Sequence, residues 1–229
     1  MATSVMHTYL DHLVVMAPDL ASGVQWCERT LGVSPGAGGE HPLMGTHNRL
    51  LKIATSSFED AYLEIIALKP GAVPMLGSGR KRWFDFDDPA LQQSIDRNGP
   101  QLVHWVARTD ALDAARHAWQ ALGIDRGPGV RASRDTSQGL LEWQITVRDD
   151  GARLFEGCLP TLIQWGAVHP VRAMAKSGVQ LESVQVFHPQ AQRLQEAFLA
   201  VGISQVRVQE GAARLQATVV TPKGPVTFG

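Results

Sequence analysis

Leu10-Asp-His-Leu-Val-Val-Met-Ala17 and Leu102-Val-His-Trp-Val-Ala-Arg108 carry the architecture of this chain. Each is an apolar, β-rich run of the kind that forms a buried strand, and each carries one histidine. The pattern downstream of the first run returns downstream of the second. Pro18 ends the first strand, and Asp19 can cap a helix by accepting from free backbone N–H groups. Leu20, Val24, Cys27 and Leu31 then recur at helical spacing, and Gly32 stops the helix. A Gly-rich stretch, 36–45, precedes two more strand-like runs, 48–54 and 62–68, which end at Pro70.

In the second copy, Thr109 or Asp110 can cap a helix whose apolar stripe is Leu112, Ala115, Trp119 and Leu122, ending at Gly123. A Gly/Pro-rich segment leads to strands at 140–147 and 159–166, then Pro170. His12 lies 20 residues before Gly32, and His104 lies 19 before Gly123. Glu64 and Gln164 each lie 6 residues before a proline. A repeat of this kind predicts two modules, each a strand, a helix and further strands, whose matching slots face one site if the sheets pair around a pseudo-twofold axis.

A third, shorter copy opens at Leu181–Phe187. Its helix carries Leu194, Ala197, Phe198 and Val201 and stops at Gly202, with strands at 206–209 and 215–220. Ser183 stands where the other copies have histidine. The expected organisation is α+β: module 1 over 8–70, a connecting segment over 71–100, module 2 over 101–170, and a truncated βαββ module over 177–229. The connecting segment carries Phe84-Asp-Phe-Asp-Asp88 and a short helix near 91–95.

The composition narrows the function. The chain has 229 residues, 21 basic and 22 acidic, for a formal net charge of -1. That balance gives no reason to expect a nucleic-acid partner. No run approaches the roughly 18 apolar residues of a membrane span, and no signal segment opens the chain, so the expectation is no membrane and a cytoplasmic location. Two cysteines are too few for a disulfide framework; Cys27, in a helical pattern, reads as a buried thiol. No phosphate loop, nucleophile elbow or Rossmann glycine pattern is present.

Side chains alternate along a strand, so a slot filled in both copies points to the same face of each sheet. His12, Glu64, His104 and Gln164 would then converge as two imidazoles, a carboxylate and an amide. Such a set suits a divalent metal, Zn, Fe, Mn, Ni or Co. A hydrogen-bonded core histidine and an edge-strand glutamate are the competing readings for single members. The other polar concentration is Gly38-Gly-Glu-His-Pro-Leu-Met-Gly-Thr-His-Asn-Arg49. His41, Asn48 and Arg49 are candidate substrate-binding residues there, and His47 a candidate acid/base beside Glu64. Trp105, Trp143 and Trp165 recur on second-module strands, where core packing is the default, and Trp143 is the candidate for lining the pocket. His169 and His188 each precede a proline and read as turn residues.

These motifs resemble the vicinal-oxygen-chelate superfamily of glyoxalase I, methylmalonyl-CoA epimerase, extradiol dioxygenases and bleomycin-resistance proteins. Leu10-Asp-His-Leu-Val-Val15 is similar to its first-strand metal motif, Tyr62-Leu-Glu-Ile65 to its fourth strand and Leu102-Val-His104 to its fifth. Gly45-Thr-His-Asn48, Tyr62–Ile66 and Leu159–Trp165 together resemble its bacterial glyoxalase-like domain group. The resemblance implies two paired βαβββ modules and a metal held by His12, Glu64, His104 and a residue of the eighth strand. That last ligand is usually glutamate, whereas the register gives Gln164, and the nearest carboxylate is Glu156. Two functions stand as alternatives: a metal-dependent lyase, isomerase or dioxygenase, or a metal-free small-molecule binding protein. A homodimer through the truncated module is a further expectation.

Overall fold

A computed structural model describes residues 6–136 and 139–229. The first module runs β1 (Thr8–Met16), α1 (Leu20–Leu31), β2 (Glu40–His41), β3 (Thr46–Lys52) and β4 (Tyr62–Leu68). After α2 (Pro89–Asn98), the second runs β5 (Gln101–Thr109), α3 (Leu112–Ala121), β6 (Gly129–Thr136), β7 (Gly139–Thr146) and β8 (Thr161–Trp165). The two modules share one eight-stranded sheet in the order β2-β3-β4-β1-β5-β8-β7-β6. The expected pair of βαβββ modules is therefore present, joined edge to edge along an antiparallel β1–β5 seam. His12 pairs with Val106 and Val14 with His104, a reciprocal register that relates the two modules by a pseudo-twofold.

The central strands read as continuous apolar runs because both of their faces are covered. Leu13 and Val15 of β1 join the larger core behind the sheet, which includes Leu31 and Trp105. Val14 and Met16 point the other way, into a second cluster with Trp83, Phe84 and Ile163. That second face is the inside of a cup formed by the curled sheet.

Local chemistry sets the helices. Asp19 accepts from the Ser22 amide at 2.7 Å, capping α1, and Gly32 ends it at φ 74° with its N–H bonded to Glu28 O. Within α1, Gly23 lets the helix lie close on β4: a Cβ there would stand 2.4 Å from Ile65 Cγ2. Helix α2 is longer than the sequence pattern indicated, because Asp88 caps it and Pro89 suits its first turn. Helix α3 departs from expectation. Neither Thr109 nor Asp110 caps it; instead Gln164 Oε1, on β8, accepts from the Leu112 amide at 3.1 Å.

The third module comprises β9 (Gln180–Phe187), α4 (Ala191–Ala200), β10 (Val206–Gln209), β11 (Arg214–Thr221) and β12 (Gly224–Phe228). It contains one strand more than the sequence pattern separated, and its order β10-β9-β11-β12 differs from that of the other modules. Its apolar face packs on the back of the seam. Trp119 of α3 donates to Ala197 O of α4 at 2.8 Å, and Trp105 of β5 meets Phe198 edge-on at 5.6 Å. Both tryptophans are fully buried, so truncating either to alanine costs about 3–5 kcal/mol. This module thus spends its apolar face inside its own chain and leaves the cup open.

Candidate functional site

The polar half of the cup lies on the first module. At the register shift between Leu10 and His12, Asp11 turns inward and is fully buried. Its Oδ1 accepts from His12 Nδ1 at 2.6 Å, and its Oδ2 accepts from Trp165 Nε1 at 2.8 Å and His169 Nε2 at 2.9 Å. Burial opposes the charge on Asp11, but the hydrogen bonds from His12 and His169, with their electrostatic pull, outweigh it and hold the carboxyl well below the usual range. An ionised Asp11 can only accept, which assigns the proton of His12 to Nδ1. His12 Nε2 is then the ring atom turned toward the cup, 3.6 Å from Glu64 Oε2. Tyr62 stacks on the His12 ring at 4.6 Å and restricts its rotation.

Glu64 is buried with one oxygen fixed. Its Oε1 accepts from Asn48 Nδ2 at 2.6 Å, while Asn48 Oδ1 accepts from the Gly39 amide at 2.7 Å. The glycine stretch makes this orientation accessible: a Cβ on Gly38 would stand 2.0 Å from the Asn48 carbonyl oxygen. His41 completes the group, with Nδ1 on Thr46 Oγ1 at 3.1 Å and Nε2 4.0 Å from Glu64 Oε1. Burial, against the pull of Glu64, pushes His41 down to about 4, so it is neutral at neutral pH.

His104 occupies the position matching His12 but has another task. It is fully buried, with Nδ1 on Gly157 O at 3.2 Å and Nε2 on Thr161 Oγ1 at 2.9 Å. Arg126 Nη2 lies 3.3 Å from the same Nε2 and also donates to Thr161. The Nε2 lone pair is therefore already engaged. Burial and the Arg126 charge hold His104 well below its ordinary pKa. Arg126 is itself pushed down by burial to about 10, which leaves it charged at neutral pH.

The strand pairing also corrects the fourth slot. In module 1 Val14 pairs with Glu64, and in module 2 the matching Val106 pairs with Thr161. Thr161, rather than Gln164, is the counterpart of Glu64. Gln164 lies three residues further along, an odd number, so it faces α3 and caps that helix. Glu156 is no substitute: its side chain is largely exposed and pairs with His188 Nε2 at 2.7 Å. The same comparison matches Asn48, paired with Ile66, to Ile145, paired with Ile163. The second module's share of the cup is thus apolar.

Alternation decides the other candidates. Asn48 and Thr46 point inward, so His47 and Arg49 point to the outer face, where His47 sits opposite Glu40 and Arg49 is exposed. Neither lines the cup, and their acid/base and substrate-binding expectations are withdrawn. His41, Asn48 and Trp143 do line it. The cup is closed on its apolar side by Trp83, Phe84, Trp143, Ile145 and Ile163. Trp83 and Phe84 come from the connecting segment, which folds into the cup. Arg134 of β6 is a further wall residue.

The four-ligand metal set does not assemble from these residues. His12 and Glu64 approach one another, but the His104 lone pair is spent on Thr161 and Arg126, and Gln164 faces the opposite side of the sheet. A divalent cation on His104 would also stand beside a buried guanidinium. Among the described residues no group of three His, Cys, Asp or Glu side chains is arranged to hold a metal ion.

Sequence patterns missed Asp11, Tyr62, Trp83, Phe84, Arg134 and His169 in the cup and its support. Asp11 adjoins His12 in the quoted motif, but a strand's alternation would turn it outward; only the register shift brings it in. His169 does begin a 3-10 turn, as its proline indicated, and it also holds Asp11.

Comparison with known proteins agrees with this architecture. A family model described as "Glyoxalase-like domain" matches residues 10–202. No curated protein matches the chain. Among solved structures, a hypothetical protein from Staphylococcus aureus aligns with TM-score 0.59 at 16% identity, over 91% of this chain and 88% of that one. Methylmalonyl-CoA epimerase from Mycobacterium tuberculosis aligns at TM-score 0.39 and 17% identity, over 76% of this chain and 97% of that one. A mutant 4-hydroxymandelate synthase from Streptomyces coelicolor aligns at TM-score 0.46 and 13% identity, over 97% of this chain and 62% of that one. With the family model covering most of the sequence and the paired modules in place, the chain belongs to the glyoxalase-like domain family.

Proposed function

We propose that the cup is a single small-molecule site in which His12 and Glu64 move a proton on a bound organic ligand, as an isomerase or lyase does. The observation that carries this reading is the Asp11–His12 hydrogen bond, which keeps the proton on Nδ1 and turns Nε2 toward Glu64. Asp11 serves His12 as an orienting carboxylate serves a general base: it fixes the tautomer and stabilises the imidazolium formed when Nε2 takes a proton. Glu64 is the partner base or acid, with Asn48 occupying one of its oxygens and leaving the other for the ligand. Trp83, Phe84 and Trp143 supply an apolar wall that excludes water and strengthens these electrostatics.

No step is routed through a divalent metal, because the residues present do not form the family's four-ligand set. A test of this point is metal uptake from saturating Zn, Mn, Ni, Co and anaerobic Fe. The expected result is that His104→Ala leaves uptake unchanged; a stoichiometric metal lost on His104→Ala would overturn it. Proton transfer is tested by following α-hydrogen exchange of small carbonyl compounds in D2O by NMR. Exchange that disappears in both His12→Gln and Glu64→Gln supports the reading, and exchange untouched by either sinks it. The apolar second half of the cup favours a second reading, a binding or sequestration protein. That reading is supported if ligands bind with no exchange in any compound.

A further inference from the structure

Among the described residues, Arg134 is the one arginine or lysine in the cup wall, and no described partner uses its charge. It lies on β6, at the junction of the cup with a larger groove lined by 36–39, 133–136, 168–170 and 173–177. Its Nε and Nη1 are buried and have no hydrogen-bond partner among the described residues. No described carboxylate forms an ion pair with it, although the other arginines close to the cup, Arg82 and Arg153, are paired with Asp87 and Asp85. Guanidinium N–H groups buried without an acceptor are unfavourable, since they lose water and gain nothing in exchange. Arg126 shows the contrast: it is buried with acceptors at Pro160 O, Ala152 O and Thr161 Oγ1.

The surroundings hold the side chain at this junction. Gly39 leaves the space for it: a Cβ there would overlap Arg134 Nη1 at 1.9 Å. Neutral His41 and Tyr62 share the wall and carry no negative charge, and the Glu64 carboxylate on the same wall is bonded to Asn48 and forms no ion pair with Arg134. The Arg134 charge acts on both, adding to the burial that lowers His41 and partly offsetting the burial that raises Tyr62. The aromatic wall, Trp143 with Trp165 at 5.7 Å, lies across the same cavity.

We propose that Arg134 is the anchor for a carboxylate carried by the ligand, so that the site takes small organic acids with an apolar body. The carboxylate lies on the guanidinium at the mouth of the cup, a match of planar donors to planar acceptors. The body reaches inward between Trp143 and Phe84 toward His12 and Glu64. This rests on the cup being the small-molecule site proposed above, and the experiment separates the two ideas.

Binding of phenylacetate and of its neutral isostere phenylacetamide is measured by quenching of tryptophan fluorescence at fixed ionic strength, on the wild type and on Arg134→Met and Arg134→Lys. Circular dichroism and melting temperature verify that each variant is folded. The expected result is at least tenfold tighter binding of the acid than of the amide, a preference that Arg134→Met abolishes and Arg134→Lys retains in part. Amide and acid binding equally to the wild type would overturn the anchor while leaving the cup as a small-molecule site. A preference for the acid that survives Arg134→Met would likewise place the anion elsewhere. Binding of neither compound to the wild type would count against both readings. Gly39→Ala gives an independent arm, because it displaces the guanidinium while keeping it in the chain, and it should weaken the acid more than the amide.

Discussion

His12 and His104 are related by a reciprocal register across the β1–β5 seam, and they serve opposite ends. His12 turns its Nε2 toward Glu64 at 3.6 Å, whereas His104 spends the same atom on Thr161 and Arg126. In the second module Thr161 stands where the first has Glu64, and its histidine is bonded into the packing; the first module holds a cluster of buried polar side chains around Glu64.

This asymmetry predicts opposite behaviour on substitution. His104→Ala removes the buried hydrogen-bond partner of Gly157 O and of the Thr161 hydroxyl and opens a cavity beside Arg126, and should cost about 2–4 kcal/mol of stability. Ligand binding in the cup should survive once the protein is folded. His12→Ala should abolish proton exchange. Denaturant unfolding and ligand titration on both variants check the pair.

Asp11→Asn replaces the charged acceptor of three donors. The expected loss is about 2–4 kcal/mol at neutral pH. The folded carboxyl is held below its unfolded value, so its contribution is complete above the unfolded pKa of about 4 and fades as pH falls below it. The gap between wild type and variant should therefore shrink below pH about 4. Nitrogen chemical shifts of His12 should also show the proton no longer confined to Nδ1.

His41 and His104 are both buried neutral, with folded pKa values lowered from 6.5, to about 4 for His41 and well below 6.5 for His104. As pH falls below 6.5 the unfolded chain takes up protons that the folded protein refuses. Stability should therefore fall with acidification, by about 1.4 kcal/mol per pH unit for each histidine, until its folded pKa is reached. Unfolding curves at pH 7, 6 and 5 measure the slope, and His104→Gln should reduce it.

The Gly38-Gly39 stretch is expected to tolerate no side chain at its first position. Gly38→Ala drives a Cβ into the Asn48 carbonyl, moving the residue that holds Glu64. A loss of about 1–3 kcal/mol and weakened ligand binding should result, measured by denaturant unfolding and ligand titration.

On the outer face of β3, His47→Ala and Arg49→Ala should each change stability by less than about 0.5 kcal/mol and leave ligand binding unchanged. A strong loss of binding in either would contradict the strand's alternation.

The architecture of the two main modules is legible in the residues alone. A strand with a histidine, a capped helix closed by glycine, and further strands recur at a spacing that local chemistry imposes, because caps, glycine stops and alternating apolar positions act within a few residues of chain. The same local patterns placed His12, Glu64, His41, Asn48 and Trp143 among the site residues, and the structure puts all five on the cup. Which duplicated positions face the cup with free polar atoms depends on long-range packing instead. Distance from a proline does not measure strand pairing, so Thr161 rather than Gln164 holds the position equivalent to Glu64. A register shift turned Asp11 inward against the strand's alternation. Arg126, Arg134, Trp83 and Phe84 come from segments with no periodic signal, and the three-dimensional packing brought them to the histidines.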